Sequence, residues 1–250
     1  MLETKKVKSY FKTEGTVAKW WNPTKEDYAY LFENQLEIIC NWLKNETINS
    51  CLEVSCGKGR VTPKLSLFTK HYLATDISKE MIKIAKLNFP KVHYEIQDAE
   101  NLKIQSNSKD CVICLEALVH YPNPKKAINE FYRVLKKNGI LIIDSDNTFS
   151  FRRLIKKSYN YIERIKHPFG EDIFTSYSKK EFIKMITCNS FKIEKFKYIG
   201  TISPITIHTK SKKKVTLLEP HICKKLHKLN IDRIDYLNRL ATYHLILARK

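Results

Sequence analysis

The chain has 250 residues, a mass of 29.5 kDa, 43% hydrophobic and 11% aromatic side chains and a formal net charge of +19. This is enough apolar material for the core of one α/β domain and too much for an intrinsically disordered chain. No apolar run approaches the roughly 20 residues that span a bilayer, and the opening MLETKKVKSY lacks the apolar stretch of a signal peptide, so the expectation is a soluble, cytoplasmic protein.

The positive charge is unevenly spread. Residues 1–150 carry 22 basic and 18 acidic side chains, whereas residues 151–250 carry 23 and 8. That asymmetry suits contact with something anionic in the C-terminal part; a solvated, lysine-rich surface is the alternative. The seven cysteines, Cys40, Cys51, Cys56, Cys111, Cys114, Cys188 and Cys223, lie mostly among apolar neighbours, as buried thiols of a reducing compartment do. Cys111 and Cys114 form a CxxC, but within a strand positions i and i+3 face opposite sides, so no metal is expected there or elsewhere.

Residues 26–44 place Tyr30, Leu31, Leu36, Ile38, Ile39, Trp42 and Leu43 at helical spacing. SCLEVS (50–55) reads as a first strand that breaks into the turn CGKGR, and VTPKLSLF continues with helical character. HYLATD (71–76) is a second strand ending in a carboxylate, followed by a helix that Ser78 caps. VHYEIQD (92–98) and KDCVICLE (109–116) are strands three and four, residues 123–139 a helix closed by Gly139, and GILIIDS (139–145) a fifth strand of the uninterrupted apolar kind that is buried on both faces. Residues 149–166 and 178–189 read as helices, the first basic and amphipathic. Residues 191–200 read as a sixth strand, 201–240 as a basic, partly helical excursion and 241–250 as the last strand. This alternation defines a doubly wound, seven-stranded, mostly parallel sheet in a single domain, with an antiparallel last strand.

Ligands of such sheets bind at the carboxyl ends of the strands near the switch in strand order. Four of those ends carry suggestive residues: Glu53 to Gly59, Asp76, Asp98, and Glu116 to Tyr121. A dinucleotide-dependent oxidoreductase also joins a glycine turn to an acid after strand two, but its GxGxxG needs a third Gly or Ala, and the two available registers put Thr62 or Arg60 there.

The segment LEVSCGKGR, with Asp76 and Asp98 behind it, QDAENL (97–102), ALVHYPNPKKAINEFYRVLKKNGILII (117–143) and the closing YHLILARK, resembles class I S-adenosylmethionine-dependent methyltransferases, in particular the group that includes ubiquinone and menaquinone methyltransferases. The resemblance implies a Rossmann-like fold and S-adenosylmethionine as cofactor. It also implies Asp76 on the ribose, Asp98 and Ala99 beside the adenine, Ile77 and Met81 packed on the nucleoside, and Ser55, Gly57 and Gly59 with Leu115 around the methionine end. Glu53 stands at the acidic position that opens the motif. The family's acidic-x-Gly-x-Gly-x-Gly is Glu53-x-Ser55-x-Gly57-x-Gly59 here, so Ser55 adds a Cβ and a hydroxyl at the first glycine.

His120 and Tyr121 follow strand four on the side of the methyl acceptor. His120 is a candidate general base, with shaping of the pocket as its other reading. The organisation expected is an N-terminal cap (1–45, including Tyr10, Trp20 and Trp21), a cofactor-binding core (46–148) and lid segments (149–190 and 201–240). The expected reaction is methyl transfer to an O, N or C nucleophile of a small, amphiphilic or anionic molecule, with peripheral contact to an anionic membrane as a further expectation. An RNA methyltransferase and a non-catalytic cofactor-binding protein are the alternatives.

Overall fold

The computed structural model describes residues 9, 29–162, 175–203, 205–208, 214–228 and 235–250. The elements, in chain order, are α1 (Ala29–Leu43), β1 (Ser50–Val54), α2 (Thr62–Leu65), β2 (His71–Asp76), α3 (Lys79–Asn88), β3 (His93–Ile96), β4 (Lys109–Cys114), α4 (Pro124–Val134), β5 (Leu135–Asp146), α5 (Phe151–Ile162), α6 (Lys179–Thr187), β6 (Lys192–Ile199), β7 (Ile205–His208), β8 (Lys214–Leu218), α7 (Pro220–Lys228), α8 (Asp235–Asn238) and β9 (Tyr243–Arg249).

The main sheet has the order β3-β2-β1-β4-β5-β9-β6. Strands β1 to β5 pair in parallel, and β9 runs antiparallel to both β5 and β6. The chain winds outward from β1 to β3 and then returns to place β4 on the other side of β1. The switch in strand order therefore falls between β1 and β4, where their carboxyl ends part and leave a crevice.

Alternation along each strand feeds two cores. Cys51, Cys111, Ile113, Ile140 and Ile142 join Leu31, Ile39 and Leu43 of α1 on one face. Leu52, Val112, Cys114, Leu141 and Ile143 join Ile128 and Phe131 of α4 and Phe182 and Ile186 of α6 on the other. Cys111 and Cys114 thus lie on opposite faces of β4. Two N-caps act as the sequence implies: the Ser78 side chain accepts from Met81 N, and Ser178 forms a reciprocal capping box with Glu181.

The fourth helix ends earlier than its residues suggest. It stops at Val134, and Leu135 already pairs with Lys109 in the sheet, ahead of a bulge that restores register at Cys111 and Ile140. The left-handed residue in the following turn is Asn138, at φ 64°, and not Gly139. Gly139 is needed for space, since a Cβ there would meet the Lys136 carbonyl oxygen at 2.9 Å. The C-terminus fixes this turn: Asn138 N–H donates to the Lys250 carbonyl and Lys250 N–H to that of Gly139. Within residues 201–240 the structure adds an antiparallel hairpin, β7 with β8, that the sequence reading lacked.

Candidate functional site

The crevice between β1 and β4 deepens into a cavity of about 240 Å³ walled by the carboxyl ends of β1, β2, β3 and β4 and the turns that follow them. Glu53, Ser55, Gly57, Asp76, Ile77, Met81, Asp98, Ala99, Leu115, His120 and Tyr121 all line it. Gly59 does not. It holds the turn against α3, at φ 84°, and a Cβ there would lie 2.9 Å from Cδ2 of Phe89. Tyr10, Trp20, Trp21, Lys210, Lys212 and Lys213 lie outside the described residues.

Asp76 organises the glycine turn. Its carboxylate accepts the Gly57 N–H on Oδ2 at 2.9 Å and the Ser78 N–H on Oδ1 at 2.8 Å. Burial pushes its pKa up, and these N–H donors oppose that. A carboxylate offers about four acceptor positions, so each oxygen can still accept from a ligand. Gly57 sits at φ 56° with nothing within 4 Å of its Cβ position, open backbone that a ligand can approach.

Glu53 lies deeper. Its Oε2 accepts from Thr62 Oγ1 at 2.6 Å and from the Tyr72 hydroxyl at 2.9 Å. Burial raises its pKa to about 7 against the pull of those two donors. After β2 and β3 the lining includes the apolar Ile77, Met81 and Ala99 beside Asp76 and Asp98, and after β1 and β4 it includes Ser55, Lys58, Arg60, Glu116 and His120 beside Leu115 and Ala117. A lining that mixes apolar and charged side chains suits a ligand that joins a flat apolar ring system to charged groups.

The turn after β3 is tied to the loop after β4. Asp98 Oδ1 accepts from Glu100 N at 3.0 Å, and the buried Glu100 accepts from Asn123 N at 2.7 Å. His120 closes a short 3₁₀ turn, Leu118–His120, on that loop.

A second feature escaped the sequence reading. Glu116, at φ 54°, forms an ion pair with Arg60 at 3.2 Å, and its backbone N–H donates to Asp144 Oδ1 at 2.6 Å. Asp144 also accepts from the amide of Gln35 on α1. Burial raises the carboxyl pKa of Glu116, Asp144 and Asp146; Arg60 opposes this at the first two, and Arg153 and Arg152 at Asp146. Arg153 lies 3.4 Å from Asp146. Arg153 thus pairs with a half-buried carboxylate and Arg152 acts on the same group by its charge, while Phe149, Phe151 and Leu154 are exposed. Glu116 marks a strand end in the sequence, but Asp144 and Asp146 sit in an apolar run that gives no sign of their neighbours. Among the described residues, no group of three or more His, Cys, Asp or Glu could hold a metal ion.

Residues 52–143 match the family model of a methyltransferase domain. A ubiquinone biosynthesis O-methyltransferase of Xanthomonas oryzae is 33% identical over 101 residues, 38% of this chain and 42% of that one. An uncharacterized methyltransferase of Schizosaccharomyces pombe is 33% identical over 110 residues, 42% of this chain and 43% of that one. The chain thus spans less than half the length of these relatives. Magnesium protoporphyrin IX methyltransferase from Synechocystis, solved with bound SAH, shares the fold at a TM-score of 0.66 and 16% identity, over 99% of this chain and all of that one. Residues 52–143 are thus similar to a methyltransferase domain, and the chain shares its fold with a solved methyltransferase.

Proposed function

We propose that the protein binds S-adenosylmethionine in the β1–β4 crevice and transfers its methyl group to an O, N or C nucleophile of a small molecule. The observation that carries this reading is Asp76: one buried carboxylate holds the open turn at Gly57 and keeps acceptor positions for a ribose. Ile77, Met81, Asp98 and Ala99 would enclose the adenosine, and Ser55, Gly57 and Leu115 the methionine end.

When bound, the cofactor supplies an activated methyl on a sulfonium centre. The chain's part is then to align the acceptor and exclude water, a contribution that reaches several kcal/mol. His120, on the loop after β4, is the residue we assign to removing the acceptor's proton.

An amphiphilic acceptor, presented in solution or at an anionic membrane surface, is the class we favour. The support is the exposed Phe149, Phe151 and Leu154 at the end of β5, within the segments 149–190 and 201–240 that we read as a lid. The charge of the last hundred residues keeps RNA as a second reading. No described helix is long and apolar enough to cross a membrane, and the reading of cytoplasmic residence rests on Cys51, Cys56, Cys111 and Cys114, buried thiols that are not joined in disulfides.

The test is incubation with methyl-labelled S-adenosylmethionine and fractionated cell extract. Label in a small organic-soluble product is expected, label in RNA would favour the second reading, and label in neither fraction would leave a cofactor-binding protein without transferase activity.

A further inference from the structure

Ser55 stands where the family motif has its first glycine, and it keeps the left-handed backbone, φ 59°, that glycine adopts without strain. Its hydroxyl lies 2.8 Å from the hydroxyl of Tyr121, which is also 3.3 Å from Cys114 Sγ. Tyr121 is buried, so a phenylalanine would fill the same space. What tyrosine adds is a hydroxyl aimed at a serine that itself replaces a glycine.

The two residues belong to different sides of the crevice. Ser55 opens the turn after β1, whose other bonds run to β2: Cys56 N to Thr75 O at 2.9 Å and Gly57 N to Asp76. Tyr121 belongs to the loop after β4, directly after His120. That loop has its own protected amides: His120 N donates to Ala117 O, Tyr121 N to Leu118 O and Asn123 N to Glu100 Oε1. With the Arg60–Glu116 ion pair, the Ser55–Tyr121 bond joins the turn after β1 to the loop after β4.

We propose that Tyr121 is a positioning residue whose hydroxyl latches the His120 loop to the turn at Ser55, so that a ligand bound between the turns after β1 and β4 also fixes the place of His120. The Tyr121 hydroxyl is thereby occupied between Ser55 and Cys114 and does not serve as an acceptor contact, which revises the sequence expectation for this residue. The link from ligand to loop rests on the cofactor reading above; the latch itself does not.

Native-state hydrogen exchange tests both. Tyr121→Phe, Ser55→Gly and the double variant are compared with the wild type, without ligand and saturated with S-adenosylhomocysteine. Without ligand, each single variant should speed exchange at the amides of His120, Tyr121 and Asn123 by about fivefold to tenfold, the equivalent of one hydrogen bond. The amide of Phe89, bonded to Ala85 O, should be unaffected. The double variant should be no faster than Tyr121→Phe, which removes the shared bond together with the contact to Cys114. S-adenosylhomocysteine should slow these loop amides in the wild type, and Tyr121→Phe should lose most of that slowing while binding the ligand within about threefold of wild type, since no bond to the ligand itself is removed. Unchanged exchange in the single variants, or additive effects in the double, would overturn the latch. Failure of the wild type to bind S-adenosylhomocysteine would overturn the cofactor reading and leave the ligand-free comparison to judge the latch alone. Ser55→Ala, which keeps the Cβ, should behave as Ser55→Gly does; a difference between them would assign the effect to backbone strain and not to the hydroxyl.

Discussion

His244 makes an unusual demand on stability. It is fully buried on β9, its ring 6.1 Å from that of Phe182, 5.7 Å from Phe196 and 5.5 Å from Tyr198, and neither ring nitrogen has a hydrogen-bond partner among the described residues. Burial lowers its pKa from 6.5 to about 4, and the nearby Lys179 acts in the same direction. The unfolded chain therefore binds a proton between pH 6.5 and 4 that the folded chain refuses, so stability from this residue is complete above pH 6.5 and falls as pH drops towards 4. At about 1.4 kcal/mol per pKa unit, the loss approaches 3 kcal/mol at pH 4. The buried carboxyls act in the opposite sense. Glu53, Asp76, Glu116, Asp144 and Asp146 all have raised folded pKa values, so the strain of holding them ionised is relieved on acidification. The wild-type profile sums these trends, and the difference from His244→Phe isolates the histidine. Urea unfolding at pH 7, 6, 5 and 4 is the assay. The variant should be at least as stable as wild type at pH 7, since the desolvated ring nitrogens are gone, and its advantage should grow by about 2 to 3 kcal/mol by pH 4. Parallel profiles for the two proteins would refute the reasoning.

Four further outcomes follow from the structure. His120→Ala should lower turnover with the authentic acceptor about a hundredfold while leaving S-adenosylhomocysteine affinity in calorimetry nearly intact; a mild loss would assign His120 to shaping the pocket. Gly59→Ala should destabilise the fold by about 1 to 3 kcal/mol in urea unfolding, through overpacking against Phe89 and a left-handed backbone; a neutral effect would mean that the turn and α3 can move apart. Replacing Phe149, Phe151 and Leu154 by Ser should weaken sedimentation with anionic vesicles or use of an amphiphilic acceptor without moving the melting temperature, because these side chains are exposed. Replacing Arg153 by Gln should cost at most about 1 kcal/mol in urea unfolding, since it and Asp146 pair with about a third of each side chain exposed.

The parts of the site legible in the sequence are those whose function is local. Gly57 and Asp76 lie at the ends of successive strands, and the strand, turn and helix around them are each written in a few adjacent residues. The parts that were not legible depend on partners far along the chain. Leu135–Gly139 is made of residues that suit a helix, and it becomes strand because Lys109 and Lys250 pair with it. Asp144 and Asp146 sit in a strand whose apolar neighbours advertise only burial. Their significance comes from Gln35, Glu116 and Arg153, brought from α1, the β4 loop and α5. The β7–β8 pair is short, and the lysines that lie between its strands in the sequence favoured the reading of a basic excursion. The basic helix at 151–162 was visible, but periodicity could not tell that Arg153 turns towards Asp146 while Phe151 and Leu154 face out.

The central claim is that Asp76 and the turn at Gly57 form a nucleoside site for S-adenosylmethionine. Calorimetric titration of the purified protein with S-adenosylhomocysteine, beside NAD and beside Asp76→Ala, tests it most directly. Micromolar-range binding of S-adenosylhomocysteine, weakened by about 1 to 3 kcal/mol in the variant, with NAD binding far more weakly, is the result predicted. No binding, or equal binding of NAD, would contradict it.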